Sequence, residues 1–378
     1  MGETTTIDEP APETEAFAGR LLDAATDTVT VFGVYLGERL GLYDALVEAG
    51  RCTSAELAAR TGTDERYVRE WLEAQTVSGV LGVDDEAAAA TERRYSVPEA
   101  HVEVLTDRDS LYYLAPLGRL LAGAVAPLPD VVEAYRTGAG VPYAAYGSDL
   151  HEGQAAMNRP SFLRLLGEEW LPSIPDIDAR LRADPPARIA DVGCGHGWSS
   201  IGIARSYPNV RVDGYDLDEA SVEAARRNAE AYGVADRVGF EVRDASDPTL
   251  EGTYDSRGDA AARSYNLVTA FECIHDMADP VGALRTMRRL LTDGGAALVM
   301  DERVGDAFTA EGSDVERFLY GASILHCLPV GRADEPSAET GTIMRTDTFR
   351  SYAEEAGFGS VEVLPIENYF WRFYRLEP

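Results

Sequence analysis

Arg188–Asp218 reads RIADVGCGHGWSSIGIARSYPNVRVDGYDLD, and the order of residue types within it decides how the rest of the chain is read. Ile189, Ala190 and Val192 form a short apolar run that ends in Gly193-Cys194-Gly195-His196-Gly197. Such a run predicts a buried parallel strand. Glycine at every second position admits left-handed backbone angles and lets a bulky ligand lie against bare main chain. The turn opens a helix over Trp198 to Ser206, whose free amides favour a negatively charged ligand group. A second strand, Val210 to Tyr215, closes in Asp216. This order of strand, glycine turn, helix, strand and acid is how an α/β sheet binds a nucleoside, the acid accepting hydrogen bonds from the ribose hydroxyls. A dinucleotide site needs a glycine where Trp198 stands, so that ligand class does not fit the spacing.

The 378 residues suffice for two domains and a generous core. No run of 18 apolar residues occurs, which argues against a membrane span. Residues 1–27 open on MGETTTIDEPAPETEAF, without a basic and apolar signal pattern, and predict a disordered acidic tail on a cytoplasmic protein. Cys52, Cys194, Cys273 and Cys327 lie far apart, against both a zinc motif and a disulfide framework. The net charge of −31 arises from 65 acids against 34 bases, all of them arginine. A field of that sign repels nucleic acid and anionic membrane.

Residues 28–104 predict three helices and a wing. VFGVYLGERLGLYDALVEAG from Val31 places apolar residues at helical spacing up to Gly50. Thr53-Ser54 with Glu56 start a second helix, and Thr63 and Asp64 cap a third, ERYVREWLEAQTVSGV. Leu81 to Val97 has the turns and strands of a wing. A winged helix often reads DNA with its third helix. Here Arg66 and Arg69 are accompanied by Asp64, Glu65, Glu70 and Glu73, a balance that pushes phosphate away. A winged-helix transcriptional regulator with a ligand-sensing second domain is therefore the alternative reading. Residues 105–185 predict a helical connector cut by Pro116, Pro127 and Pro129, and a glycine- and tyrosine-rich loop, TGAGVPYAAYGSDLHEGQ, expected to form a substrate lid with Tyr143, Tyr146 and His151. Asn158 to Leu171 predicts an amphipathic core helix.

From residue 186 to 378 the nucleoside-binding pattern continues. SVEAARRNAEAYGVADRV predicts a helix, VGFEVRDA a third strand with Asp244 at its tip, and YNLVTAF, Tyr265 to Phe271, a fourth. The acidic loop from Ser246 to Ser264 has no assignable role. The fourth strand runs into Glu272-Cys273-Ile274-His275-Asp276-Met277, where side chains past the carboxyl end of a central strand face the ligand crevice. An imidazole with its usual pKa near ~6.5 takes the proton of a hydroxyl as it attacks, which makes His275 a candidate base. A helix over Pro280 to Leu291 and Thr292-Asp293-Gly294-Gly295 lead into AALVMDE, ending in Asp301 and Glu302. With His275 and Asp276 these acids can be drawn as a metal cluster, but nothing in the spacing is diagnostic, and no metal is expected. His326, just before a Pro329 stop in a helix over Val315 to Val330, is the second candidate base. Helix Thr346 to Ala356 and strands VEVLPI and FWRFYRL complete the chain.

The pattern D-x-G-x-G-x-G with an acid ending the second strand resembles motif I of the class I S-adenosylmethionine-dependent methyltransferases. The L-x-x-G-G turn at Leu291–Gly295 and the closing pair of strands are similar to that class. The I-H-D-M run resembles the L-H-D-W run of plant and antibiotic-pathway O-methyltransferases, with Met277 in place of tryptophan. F-L-Y-x-x-S-I-L-H-C-L-P and F-W-R-F-Y-R-L resemble a group of prokaryotic winged-helix methyltransferases. The resemblance implies a Rossmann-like, seven-stranded α/β sheet over residues 186–378. It implies S-adenosyl-L-methionine as methyl donor, with Asp216 on the ribose, Gly193, Gly195 and Gly197 on the methionine half, and Asp244 and Ala245 on the adenine. Asp191, Cys194, Leu217 and Phe271 complete the implied contact set. It further implies His275 as base, a small apolar or aromatic acceptor methylated at a hydroxyl, and a homodimer formed through the winged-helix domain, which would also wall the substrate pocket.

Overall fold

The computed structural model describes residues 11–248, 250 and 265–378, and divides into two compact units, Met1–Ala122 and Gly123–Pro378. In the first, α1 (Pro12–Arg39), α2 (Leu42–Ala49), α3 (Ser54–Thr61) and α4 (Glu65–Val77) precede the two-stranded wing β1 (Gly82–Val83) and β2 (Tyr95–Ser96), and α5 (Glu99–Thr106) follows it. The predicted order of three helices and a wing is present, with two corrections. Residues 12–27 belong to α1 and not to a disordered tail, and the apolar segment after Val31 is two helices broken at Leu40–Gly41. The unit is held by Leu42, Tyr43, Leu46, Leu57, Val68, Trp71 and Leu72, all buried. Two polar contacts tie these helices together: Trp71 Nε1 of α4 donates to the Gly33 carbonyl of α1 at 2.8 Å, and Tyr43 OH of α2 donates to Gln75 of α4 at 2.6 Å. Thr53 and Glu56 form a reciprocal capping box at the start of α3, and Asp64 caps α4 as its sequence predicts.

Helix α6 (Pro116–Val125) runs across the division. The second unit continues with α7 (Leu128–Thr137), α8 (Gly147–Leu165) and α9 (Pro175–Arg182). The expected lid loop is therefore mostly helix: Tyr143–Tyr146 form one 3₁₀ turn, and His151 stands in the second turn of α8. Close packing overrides the local glycine and proline signals here. A Cβ added at Gly202 would lie 2.1 Å from the Phe162 carbonyl, so helix backbones meet directly at that point.

The sheet then builds in alternation: β3 (Arg188–Val192), α10 (Trp198–Ser206), β4 (Arg211–Asp216), α11 (Glu219–Ala231), β5 (Val238–Val242), β6 (Tyr265–Phe271), α12 (Pro280–Leu290) and β7 (Leu291–Glu302). After α13 (Asp314–Ala322), a π-helical turn over Ser323–Cys327 and α14 (Leu328–Gly331), the chain ends with α15 (Thr346–Glu355), β8 (Ser360–Val363) and β9 (Trp371–Glu377). Pro329 is thus inside the last helical turn and does not stop it. Strand order is β5-β4-β3-β6-β7-β9-β8, with β9 antiparallel to both neighbours and the other pairings parallel. Strand alternation sends Ile189, Val212 and Leu267 to one face and Ala190, Val192 and Val268 to the other, and each face carries its own apolar core. The order reverses between β3 and β6, which opens a crevice at their carboxyl ends. The loop expected to lack a role, 246–264, lies largely outside the described residues.

Candidate active site

The glycine turn follows β3 into that crevice, and its three glycines serve different ends. Gly193 N and Cys194 N both donate to the Tyr215 carbonyl, at 2.8 and 3.1 Å, which ties the turn to β4. A Cβ at Gly193 would sit 2.6 Å from Cys273 Sγ, and one at Gly197 would sit 2.6 Å from the Phe240 ring, so these two glycines allow close packing. Gly195, with φ of +50°, faces open space: a Cβ there would meet nothing within 4 Å. Bare main chain accessible to a ligand is therefore at Gly195.

Asp216, at the tip of β4, reaches the same point. Its Oδ2 accepts from Gly195 N at 2.7 Å and its Oδ1 from Asp218 N at 2.9 Å. Burial raises its pKa, and the two amide donors oppose that rise. A carboxylate has about four acceptor positions. Two remain for a pair of vicinal hydroxyls, so the residues present fit the ribose and amino-acid halves of a nucleoside such as S-adenosylmethionine. Leu217 beside it is 66% exposed, an apolar surface at the crevice edge. Asp244 is exposed, with Oδ1 already accepting from Ser246 N and Oγ at 2.8 and 2.7 Å, and Ala245 packs on the sheet.

Two residues of the expected contact set are engaged by contacts within the protein. Asp191 is 1% exposed and accepts from Ser199, Ser200 and Thr269 hydroxyls at 2.6, 2.6 and 2.7 Å, so it clamps α10 and β6 to β3 from beneath the turn. Phe271 is buried in the core with its ring 5.6 Å from that of Phe162. The Cys194 thiol is likewise buried.

Beyond β6, Ile274–Asp276 form a 3₁₀ turn that carries His275 into a nest of carboxylates. Nδ1 lies 2.8 Å from Asp301 Oδ1 and 2.9 Å from Glu302 Oε2, and Nε2 lies 3.2 Å from Asp276 Oδ1. Asp301 alone of the three is placed as a hydrogen-bond partner; the other two act as charges. Burial drives the imidazole toward its neutral form, but Asp301, Glu302 and Asp276 outweigh it and hold the pKa well above 6.5. His275 is thus held toward its protonated form, unlike the ordinary imidazole its position predicts. Burial acts to raise Asp276, yet His275 pulls it to about 2, while burial leaves Glu302 well above the usual carboxylate range. Ligand atoms of His275, Asp276 and Cys327, and of His275, Asp301 and Glu302, lie within 4.8 Å of one another.

His326 sits opposite in character. It belongs to the π-helical turn, is 6% exposed, and its Nε2 has no hydrogen-bond partner. Burial lowers its pKa against the attraction of Asp276. Tyr146 holds the ring edge-on with centroids 4.6 Å apart, and its hydroxyl donates to the Leu325 carbonyl at 2.9 Å. Tyr143 stacks flat on His151, at 4.0 Å and 6°, and tilts toward His326 at 5.9 Å. These three residues are the aromatic set expected of a lid, held on a 3₁₀ turn and a helix. Burial raises the Tyr143 phenol, with Asp216 and Asp276 adding to the effect.

Glu272 was not anticipated. Its backbone takes the left-handed region at φ of +53°, and its side chain accepts from Trp371 Nε1 at 2.5 Å and from Asn158. Burial pushes its pKa up to about 7. Its partners come from α8 and β9, far apart in sequence, and only its place directly after β6 marks it in advance. A cleft of about 360 Å³ lies beside the glycine turn, among His151, Arg159, His196, Trp198 and Arg227 of α8, the turn, α10 and α11; neither His275 nor His326 lines it.

Comparison with known proteins agrees with this geometry. A family described as a methyltransferase domain matches residues 184–356, and the Rv2258c-like winged HTH domain matches residues 28–107. The chain is 28% identical to 3-amino-4-hydroxybenzoate 4-O-methyltransferase of Streptomyces cremeus, over 96% of this chain and 90% of that protein. It is 30% identical to a highly reducing polyketide synthase of Pyricularia oryzae over 50% of this chain, but spans only 6% of that protein. It spans 51% of norajmaline N-methyltransferase of Rauvolfia serpentina, at 28% identity over 41% of this chain. Human N-acetylserotonin methyltransferase, solved with S-adenosylmethionine, superposes with a TM-score of 0.68 at 17% identity, over 100% of this chain and 99% of that one, a likeness that shows the fold. The chain thus joins a region that matches a methyltransferase-domain family to one that matches a winged HTH domain, on the fold of solved methyltransferases.

Proposed function

We propose that this protein transfers the methyl group of S-adenosylmethionine to a hydroxyl oxygen of a small apolar or aromatic molecule. The observation that carries the reading is the meeting of Gly195 and Asp216 at 2.7 Å, at the point where the strand order reverses. There the open main chain suits the methionine half of the donor, the Asp216 carboxylate the ribose, and Leu217, Asp244 and Ala245 the adenine. Bound sulfonium supplies an electrophilic methyl group. The protein contributes position, exclusion of water and a proton acceptor among the two buried imidazoles, His275 and His326. Tyr143, Tyr146 and His151 form an aromatic wall suited to a flat acceptor. The Streptomyces relative is named for a phenolic acceptor, which supports a hydroxyl target.

The protein acts as a cytoplasmic homodimer in this reading. Among the described residues no helix is long and apolar enough to cross a membrane. Phe17, Leu21, Leu22 and Val29 of α1 are exposed apolar side chains at helical spacing, a stripe that a second copy would cover. In this reading nucleic acid is not a partner, which is supported by the pairing of Arg66 with Glu70 at 2.5 Å and of Arg69 with Glu65 at 3.2 Å on α4. The test is incubation with methyl-labelled S-adenosylmethionine and a panel of phenols that includes 3-amino-4-hydroxybenzoate. Label is expected in an acceptor hydroxyl; no transfer to any phenol overturns the reading.

A further inference from the structure

We propose that Glu272 is the positioning residue of the transfer: its carboxylate closes a ring of contacts across the ends of β6, β7 and β9 and so sets His275 against Asp301 and Glu302. The inference rests on the proposed function, in which His275 is one of the two imidazoles open to the acceptor's proton. The ring can be followed residue by residue. Glu272 N donates to the Met300 carbonyl at 2.8 Å, one residue before Asp301. Glu302 pairs in the antiparallel ladder with Trp371, the first residue of β9. Trp371 Nε1 reaches back to the Glu272 carboxylate at 2.5 Å. His275 stands three residues beyond Glu272 on the 3₁₀ turn, with Nδ1 2.8 Å from Asp301 Oδ1 and 2.9 Å from Glu302 Oε2. The two acids that grip the imidazole are carried by the strand end that Glu272 holds, through its backbone directly and through its side chain by way of Trp371.

Two further observations separate this arrangement from ordinary packing. Glu272 takes a left-handed backbone at φ of +53°, which a residue with a Cβ adopts at a cost, and such strain persists where the surroundings over-determine it. Glycine or asparagine is the usual residue for that backbone. The second observation is the source of the other hydrogen bond: Asn158 Nδ2 of α8 donates to the same carboxylate. Helix α8 also carries His151, stacked flat on Tyr143 of the aromatic wall. One side chain therefore joins the strand that leads to the imidazole, the strand paired with its acids, and the helix that bears part of the wall suited to the acceptor.

In the transfer, the acceptor oxygen forms a bond to the methyl carbon as its O–H proton passes to the unprotonated fraction of His275. The carbon–sulfur bond breaks with its electron pair left on sulfur, which becomes a neutral thioether. The unprotonated fraction grows as pH rises, because Asp301, Glu302 and Asp276 favour the protonated ring. The charged and titratable groups around His275 are Asp276 on its own turn, Asp301 and Glu302 of β7, Glu272 and Cys273 at the end of β6, and His326 and Cys327 of the π turn. Removing the Glu272 carboxylate takes away one nearby negative charge and slackens the grip of two more, so His275 should release its proton at lower pH while being less well aimed. A side chain that merely filled space would lower the rate and leave that pH where it was.

The experiment compares the wild type with Glu272→Ala, Glu272→Gln and Trp371→Phe in the full chain. Calorimetry with S-adenosylhomocysteine reports folding of the donor site. Nitrogen NMR follows the titration of His275, assigned through His275→Gln, and kcat and KM are measured across pH with whichever phenol the wild type labels. Glu272→Ala is expected to bind S-adenosylhomocysteine within threefold of wild type and to lose roughly 10- to 100-fold in kcat, with KM changed less. It should also move the His275 titration and the acid limb of kcat together to lower pH, by at least about half a pH unit. Glu272→Gln keeps an acceptor for Trp371 and should recover part of the rate. Trp371→Phe leaves every carboxylate in place, yet should move both readouts in the same direction, and its effect should not add to that of Glu272→Ala. A His275 titration that neither Glu272→Ala nor Trp371→Phe moves overturns the proposal, as does full additivity of the two. Should Glu272→Ala fail to bind S-adenosylhomocysteine, the His275 titration in Trp371→Phe decides alone. A wild type that labels no phenol overturns the hydroxyl-transfer reading, whereas an unmoved titration in an active enzyme overturns only this inference.

Discussion

Replacing Asp216 with alanine tests the cofactor half of the site, and its effect can be sized from the contacts. Asp216 holds Gly195 N at 2.7 Å and Asp218 N at 2.9 Å, and its two remaining acceptor positions face the crevice. A hydrogen bond to a charged group contributes about 1.5–3 kcal/mol. Loss of two bonds to ribose therefore removes about 3–6 kcal/mol of binding, or roughly two to four decades in Kd. The same change leaves two amide donors without their carboxylate, and each costs about 1–3 kcal/mol where water cannot reach it. Asp216→Asn separates these effects, because its carbonyl oxygen still accepts one amide while its NH₂ faces the other. Isothermal titration with S-adenosylhomocysteine, alongside thermal melts without ligand, should show a large loss of affinity in both variants and a smaller loss of Tm in Asp216→Asn. Affinity within threefold of wild type in both variants would refute the argument that this carboxylate holds the ribose.

Gly195→Ala should cost only about 1–2 kcal/mol in stability, from the left-handed backbone alone, yet impair S-adenosylhomocysteine binding, whereas Gly193→Ala adds a clash with Cys273 Sγ at 2.6 Å and should melt well below it; equal Tm values would count against the distinction. His275 has its folded pKa raised, so its stabilisation is complete below the unfolded value and is lost as pH rises through the folded one. The wild-type Tm should accordingly fall on the alkaline side of about 6.5 more steeply than that of His275→Gln, and parallel curves would contradict the ion cluster. In the first unit, a Cβ at Gly37 would stand 2.3 Å from the Tyr43 ring and 2.6 Å from Trp71. Gly37→Ala should therefore lose about 1–3 kcal/mol in denaturant melts, and an unchanged midpoint would show that α1 yields freely.

The sheet was legible because its information is local. Each strand is an apolar run, each crossover helix has its own stop, and the glycine turn announces the one crevice they enclose. Asp216 and the turn could be paired from sequence because the spacing of a single β-α-β unit fixes them. The charge on His275 could be read only in part, since Asp301 and Glu302 enter from β7 and their distances depend on the register of β6 against it. The hydrogen bonds Asp191 makes beneath the turn could not be read from its place beside the glycines, because Thr269, which donates to it, lies on another strand. Residues 137–154 read as loop because Gly147, Gly153 and Pro142 signal one locally, and only the packing of α8 against α10 reverses that signal. The start of α1 is hidden for a similar reason: its first turn is acidic and opens on Pro12, and its apolar positions Phe17, Leu21 and Leu22 are exposed, so no buried face marks them.

The π turn at 323–327 also has a genetic reading. One surplus residue separates two stretches of otherwise regular helix, so a single-codon deletion at Ile324 would let the segment close up as continuous α-helix from Asp314 to Gly331. Each residue of an α-helix turns about 100°, and the imidazole would swing by that amount relative to everything upstream of it. Fold, length of chain in the cap and overall composition would be almost untouched. A frame-preserving deletion here would thus turn the buried His326 and Cys327 out of their contacts, and a melt as well as a turnover assay should register it.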